Sequence, residues 1–148
     1  MEPKPLHPNV RTLWQVMGLI LAVPPAAAVL LGAALLDLPF LLSAAACLVV
    51  LLPALTVPRL AYRRWRYAIR ERDLYTSKGA IWHVETLVPF DRIQFVESRQ
   101  GPLDRAFDLT QVVVYTAAGK AAAIPGLDEA TAEAIREDLS KVAGTASV

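Results

Sequence analysis

Side chains able to do chemistry are few in this chain and lie far apart. His83 has no second ligand spaced beside it, His7 lies in a proline-rich stretch, and Cys47 is a lone thiol, so neither a histidine-based nor a cysteine-based metal site is specified. Asp91 and Arg92, then Asp104, Arg105 and Asp108, set carboxylates beside guanidinium groups. Such pairs fix a loop through charged hydrogen bonds more readily than they do acid–base work, because no nucleophile or metal ligand accompanies them. No phosphate-cradling glycine loop and no internal repeat is present. These residues describe a non-enzymatic chain with no catalytic set, metal or cofactor.

The elements that must carry them divide the chain in two. Leu13 to Val57 is a run of 45 residues with a single charge, Asp37. One helix of that length would reach about 68 Å at about 1.5 Å per residue, more than twice the hydrocarbon thickness of about 30 Å. Two spans therefore share the run, 13–36 and 38–57. Asp37-Leu38-Pro39 is the reversal, since an aspartate at the bilayer centre costs about 2.5–3.5 kcal/mol and one at the far surface stays hydrated. A cleaved leader ending near Ala26-Ala27-Ala28 would leave one span, but the apolar run continues past the alanines to Leu36, as a retained span does. Pro24-Pro25 predicts a kink, and Gly18, Ala22, Ala28, Gly32 and Ser43 to Cys47 supply small side chains for close helix packing. With no polar group at that depth, the proline pair reads as structural.

Cations flank one side of the hairpin. Arg59, Arg63, Arg64, Arg66, Arg70 and Arg72 follow the second span, Lys4 and Arg11 precede the first, and the turn between has none, which places both termini in the cytoplasm of a multi-pass cell-membrane protein. Tyr62, Trp65 and Tyr67 interleave with these arginines, as side chains with an apolar body and a polar tip do at the headgroup level. The expected organisation is a tail at 1–12, the hairpin at 13–57, a basic aromatic juxtamembrane segment at 58–65, a domain at 66–143 and a flexible tail at 144–148. Residues 59–148 carry 13 of the 15 cations and 12 of the 14 acids, so their charges nearly cancel and no basic field for nucleic acid exists.

Beyond Pro58 the periodicity shortens. Tyr67–Ile69, Leu74–Ser77, Ile81–Val88, Ile93–Val96, Leu109–Ala117 and Ala121–Ile124 read as strands of an antiparallel meander, with Lys78-Gly79, Ala118-Gly119 and Glu71-Arg72-Asp73 as its turns. In the third segment Trp82, Val84, Thr86 and Val88 alternate with Ile81, His83, Glu85 and Leu87, predicting one apolar face, which includes Trp82, and one mixed. Asp128 is placed to cap a C-terminal amphipathic helix carrying Ile135, Leu139 and Val142, with Gly144 closing it.

The stretch from Tyr67 to about Lys141 resembles the bacterial pleckstrin-homology-like domain of the YdbS type. The residues that carry the likeness are Tyr75-Thr76-Ser77-Lys78-Gly79, the segment Pro89 to Val96 and the segment Gln100 to Leu109, with Pro89, Asp91, Arg92, Val96, Pro102, Leu103, Arg105 and Leu109 in order. The preceding pair of spans is also similar to that family. The resemblance implies a curled antiparallel sheet or barrel capped by the C-terminal helix, so the fold class is membrane-anchored α+β. Asp108 stands where the family usually has glycine, and aspartate tolerates a left-handed turn better than most residues. Fold does not settle function. The turn Arg70-Glu71-Arg72-Asp73 cancels its own charge, which argues against specific phosphoinositide binding. Arg59, Arg63, Arg64 and Arg66 still attract anionic phospholipid headgroups non-specifically, at about 1 kcal/mol per cation. The expected role is an interaction or scaffold module assembling with itself or a related membrane protein, with Arg105 holding the 100–109 loop against the Pro89–Val96 segment. The resemblance weakly suggests envelope stress or export as its setting.

Overall fold

The apolar run folds as two antiparallel helices. The computed structural model describes residues 2–145. Helix α1 spans Pro8–Leu35 and α2 spans Phe40–Arg64, long enough for about 42 and 37 Å at about 1.5 Å per residue. Almost none of either apolar surface is covered by protein, and both helices have the length and hydropathy to cross a bilayer. An amphipathic hairpin of a soluble fold would bury one stripe, so this surface belongs in lipid. Asp37 makes the turn in the left-handed region, φ 48°, and the Leu38 amide closes it on the Ala33 carbonyl at 3.0 Å.

Both helices overrun their expected limits. α1 starts five residues before Leu13 because Pro8 suits a first helical turn and the His7 ring accepts the Asn9 amide; it continues unbroken through Pro24 and Pro25. α2 continues through Pro53 and Pro58 to Arg64, so the expected juxtamembrane segment 58–65 is helical and ends only at Trp65. Pro58 has no amide to give the Ala54 carbonyl. That oxygen instead faces Gly18, where a side-chain carbon would lie 2.7 Å from it. Gly18 and the buried Ala22 thus form the close approach, while Ala28 is exposed and nothing lies within 4 Å of an added carbon at Gly32.

After α2 come β1 (Arg66–Ile69), β2 (Asp73–Lys78), β3 (Val84–Pro89), a 3-10 turn (Phe90–Arg92), β4 (Ile93–Arg99), the short helix α3 (Pro102–Ala106), β5 (Thr110–Thr116), β6 (Gly119–Leu127) and α4 (Glu129–Thr145). Every pairing is antiparallel. The strands form two three-stranded sheets, β1-β2-β3 and β4-β5-β6, and the barrel is not closed. Pro125 is accommodated because β6 lies at a sheet edge, where a missing amide breaks no ladder. Leu74, Val88, Phe90, Ile93, Leu109, Val112, Val114 and Ile124 fill the core under Ala132, Ile135 and Leu139 of α4. Each such buried aliphatic side chain is worth about 1.5–3 kcal/mol relative to exposure. Asp128 caps α4 as expected, accepting the Thr131 amide at 3.0 Å. Gly144 does not end that helix, which includes Thr145; the remainder of the expected tail, 146–148, lies outside the described residues.

Residues expected as an N-terminal tail are part of the domain. Lys4 pairs with Tyr67 through two main-chain hydrogen bonds of 2.7 and 3.1 Å, and the His7 amide reaches the Gly126 carbonyl. Leu6, Val10 and Leu13 enter the core, with Leu6 only 2% exposed. Gly126, at φ +63°, leaves room for Val10: a side-chain carbon there would fall 1.8 Å from Val10 Cγ2. The chain before the first span and the chain after the second therefore close on one another.

Candidate functional site

A groove of about 1030 Å³ lies between the outer edge of β1 and helix α4. Its geometry follows from strand alternation. Arg70 bonds to Asp73 across the β1–β2 turn, and the register pairs Ala68 with Tyr75 and Arg66 with Ser77. The main-chain groups of Tyr67 and Ile69 therefore point the other way, into the groove. Tyr67 is taken by Lys4; the next outward pair, at Ile69, borders the open part. Tyr67, Ala68 and Ile135 give the groove an apolar floor, Ala130 and Ala134 keep the α4 wall low, and Arg70, Glu71, Arg72, Asp73 and Asp138 rim it with both signs of charge. Burial pushes the Tyr67 hydroxyl above its ordinary pKa, with the Asp128 carboxylate adding to the effect. Such a lining offers main-chain hydrogen bonds and a narrow apolar channel, the means by which a sheet edge accepts an extended strand.

The residues singled out from the sequence are scattered around this groove rather than in it. Pro89 ends β3, exposed; Asp91 and Arg92 sit exposed on the 3-10 turn and form no ion pair with each other. What fixes that turn is buried Phe90, whose amide donates to the Arg72 carbonyl at 3.0 Å, together with Ile93; Val96 packs against the same core. In the second motif Pro102 starts α3 and Leu103 is partly exposed, while Leu109 is wholly buried. Among the described residues the Arg105 side chain makes no ion pair, and the loop docks against α1 through the Asn9 side chain on the Phe107 carbonyl. Asp104 does the organising: its carboxylate accepts the Gly101 amide at 3.0 Å and its carbonyl accepts the Leu109 amide at 2.8 Å. Asp108 keeps the left-handed turn at φ 54°.

The aromatic and basic junction is also rearranged. Trp65 is 5% exposed, packed in the core with its ring 6.4 Å from that of Tyr67, and the Tyr62 hydroxyl donates to the Leu6 carbonyl. Trp65 and Tyr67 are thus buried members of the domain core, and Tyr62 packs against it. Arg64 donates to the Ala80 carbonyl and Arg66 to the Trp65 carbonyl, leaving Arg59 and Arg63 exposed on the last turns of α2. The third strand starts at Val84, not Ile81, because the chain folds back at Gly79, whose added carbon would strike the Trp82 carbonyl at 1.6 Å. Trp82 lies outside the core. His83 has a neighbour after all: Glu85 accepts from the Tyr75 hydroxyl at 2.8 Å and lies 3.2 Å from the His83 ring. The Tyr75 hydrogen bond, then that of His83, holds the Glu85 carboxyl below its usual range. The cluster is open to water.

With the fold and groove defined, the chain belongs to the Bacterial PH domain family, whose model matches residues 16–143, most of α1 and all of α2 included. It is similar to the UPF0699 transmembrane protein YdbS of Bacillus subtilis (strain 168), with 31% identity over 87 residues, 59% of this chain and 54% of that one. The match thus spans about half the length of that relative. No solved structure matches the chain significantly.

Proposed function

We propose that this membrane-anchored PH-like domain is a non-enzymatic interaction module that takes an extended segment of a second copy, or of a related membrane protein, along the edge of β1. The observation that carries the reading is the outward main-chain pair at Ile69, which makes no hydrogen bond to another segment among the described residues, next to the Lys4–Tyr67 pairing and bordering a groove with an apolar floor. An added strand there gains main-chain hydrogen bonds without any specialised side-chain chemistry. The arginines after the second span support a cytoplasmic placement of the domain and both termini. Exposed Arg59 and Arg63 favour a second reading, non-selective attraction to anionic headgroups, which orients the domain without recognising one lipid.

Filling the groove tests the module. The full-length chain in mild detergent should scatter light as more than one copy per micelle. Ala134→Trp on the α4 wall should weaken that association at least tenfold while leaving the melting temperature nearly unchanged, as exposed substitutions do. A chain that stays monomeric and retains no related membrane protein would sink the module reading, and selective retention on one anionic lipid would promote the second.

A further inference from the structure

The topology brings one loop of the domain back to the bilayer. β1 begins at Arg66, directly after α2 ends at Arg64, so its first residue lies at the membrane end of the domain. The pairings Arg66↔Ser77 and Lys78↔Val84 return β2 to the same end, and residues 79–83 project beyond that level. Arg64 fixes the loop to the last turn of α2, donating to the Ala80 carbonyl at 2.9 Å. Counted from Phe40, about 20 residues cross a hydrocarbon core of about 30 Å, which sets its edge near Arg59. Arg64 then stands about 7.5 Å further out, within the headgroup layer.

At the tip of this loop are Ile81 and Trp82, 75% and 82% exposed, the most exposed large apolar side chains outside the hairpin among the described residues. Nothing in the domain covers them, and the fold-back at Gly79 presents them as a blunt tip rather than as strand residues. Tryptophan is enriched at this depth in membranes because its ring partitions among the acyl carbonyls while the indole N–H stays hydrogen-bonded. Lys78, Arg63 and Arg64 stand on either side, cations suited to phosphate groups of the same layer. We propose that Ile81 and Trp82 enter the interfacial layer of the bilayer beside α2, a third point of attachment that fixes the tilt of the domain against the lipid surface.

The full-length chain with Cys47→Ala provides the test. An environment-sensitive fluorophore is attached through Trp82→Cys or through Ala118→Cys, and the protein is reconstituted in phosphatidylcholine–phosphatidylglycerol vesicles with and without acyl-brominated lipid. Ala118 is the reference because β5 leaves the Asn9–Phe107 contact at Thr110 and reaches its hairpin, Thr116↔Gly119, at the opposite end. The label at 82 should emit to the blue of that at 118 and be quenched by brominated lipid at least threefold more. A label at Ile81→Cys, with Trp82 kept, should be quenched likewise, which separates insertion of the loop from partitioning of the dye. Equal quenching at 81 and 118 overturns the proposal. A blue shift at 82 without bromine quenching overturns it too, since it would mean that protein, not lipid, covers the tip.

Discussion

Trp65 and Trp82 occupy the same end of the domain and have opposite surroundings. Trp65 follows the last residue of α2 and is enclosed by the N-terminal segment, Tyr67 and the core; Trp82 tips a loop that nothing encloses. Around Trp65 the chain is closed by Leu6, Val10 and the Gly126 turn, so segments before and after the two helices hold one another. Around Trp82, among the described residues, Arg64 reaches across to the Ala80 carbonyl. A membrane-adjacent rim can thus contain a rigid seam and an unpartnered tip side by side, and residue type alone does not tell them apart.

The contrast is broken most directly by removing each ring. Trp65→Ala should cost about 3–5 kcal/mol, the range for deleting a buried aromatic side chain, and abolish a cooperative thermal transition of the domain in detergent. Trp82→Ala should move the same transition by no more than about 0.5 kcal/mol. Similar losses for both would show that the tip is packed after all.

A smaller effect separates the two neighbours in the 100–109 loop, which docks on the seam through Asn9. Asp104→Ala removes the acceptor of the Gly101 amide and should cost about 1 kcal/mol, as loss of a helix cap does, whereas Arg105→Ala should leave thermal stability within about 0.5 kcal/mol. The reverse order would return the organising role to the arginine.

The smallest expected effect is on pH dependence at the α4 cap, next to the Gly126 turn. Hydrogen bonds from Thr131 hold the Asp128 carboxyl below its ordinary pKa, with a lesser contribution from His7. The ionised form is thus favoured on folding. Its contribution is fully present above the unfolded value of about 3.9 and is lost as pH falls through the lower folded value. Acid titration of the melting temperature should therefore show a steeper fall below about pH 4 for the native chain than for Asp128→Asn. Parallel curves would mean that the cap does not depend on its charge.

Much of this architecture was legible because its signals are local. The division into two apolar helices followed from 45 apolar residues set against bilayer thickness, and the turn at Asp37 from the cost of burying a charge. The antiparallel meander, the left-handed Asp108 and the Asp128 cap were written in short-range residue chemistry. The organising role of Phe90 and Asp104 had a weaker trace: an aromatic between Pro89 and Asp91, and a carboxylate three residues after Gly101, a spacing that suits a cap.

Hydropathy and alternation already settle which segments are apolar enough to leave water, where the chain must turn, and which stretches form strands. That residues 4–10 belong to the domain, that Trp65 is core while Trp82 is rim, and that the outer edge of β1 meets α4 in a groove came from the packing of distant segments. The reason is physical. Hydropathy and periodicity act within a few residues and fix local conformation, whereas burial depends on which distant segment arrives to exclude water, and here Leu6 and Val10 reach Trp65 and Gly126 only because two antiparallel helices return the chain to its starting end.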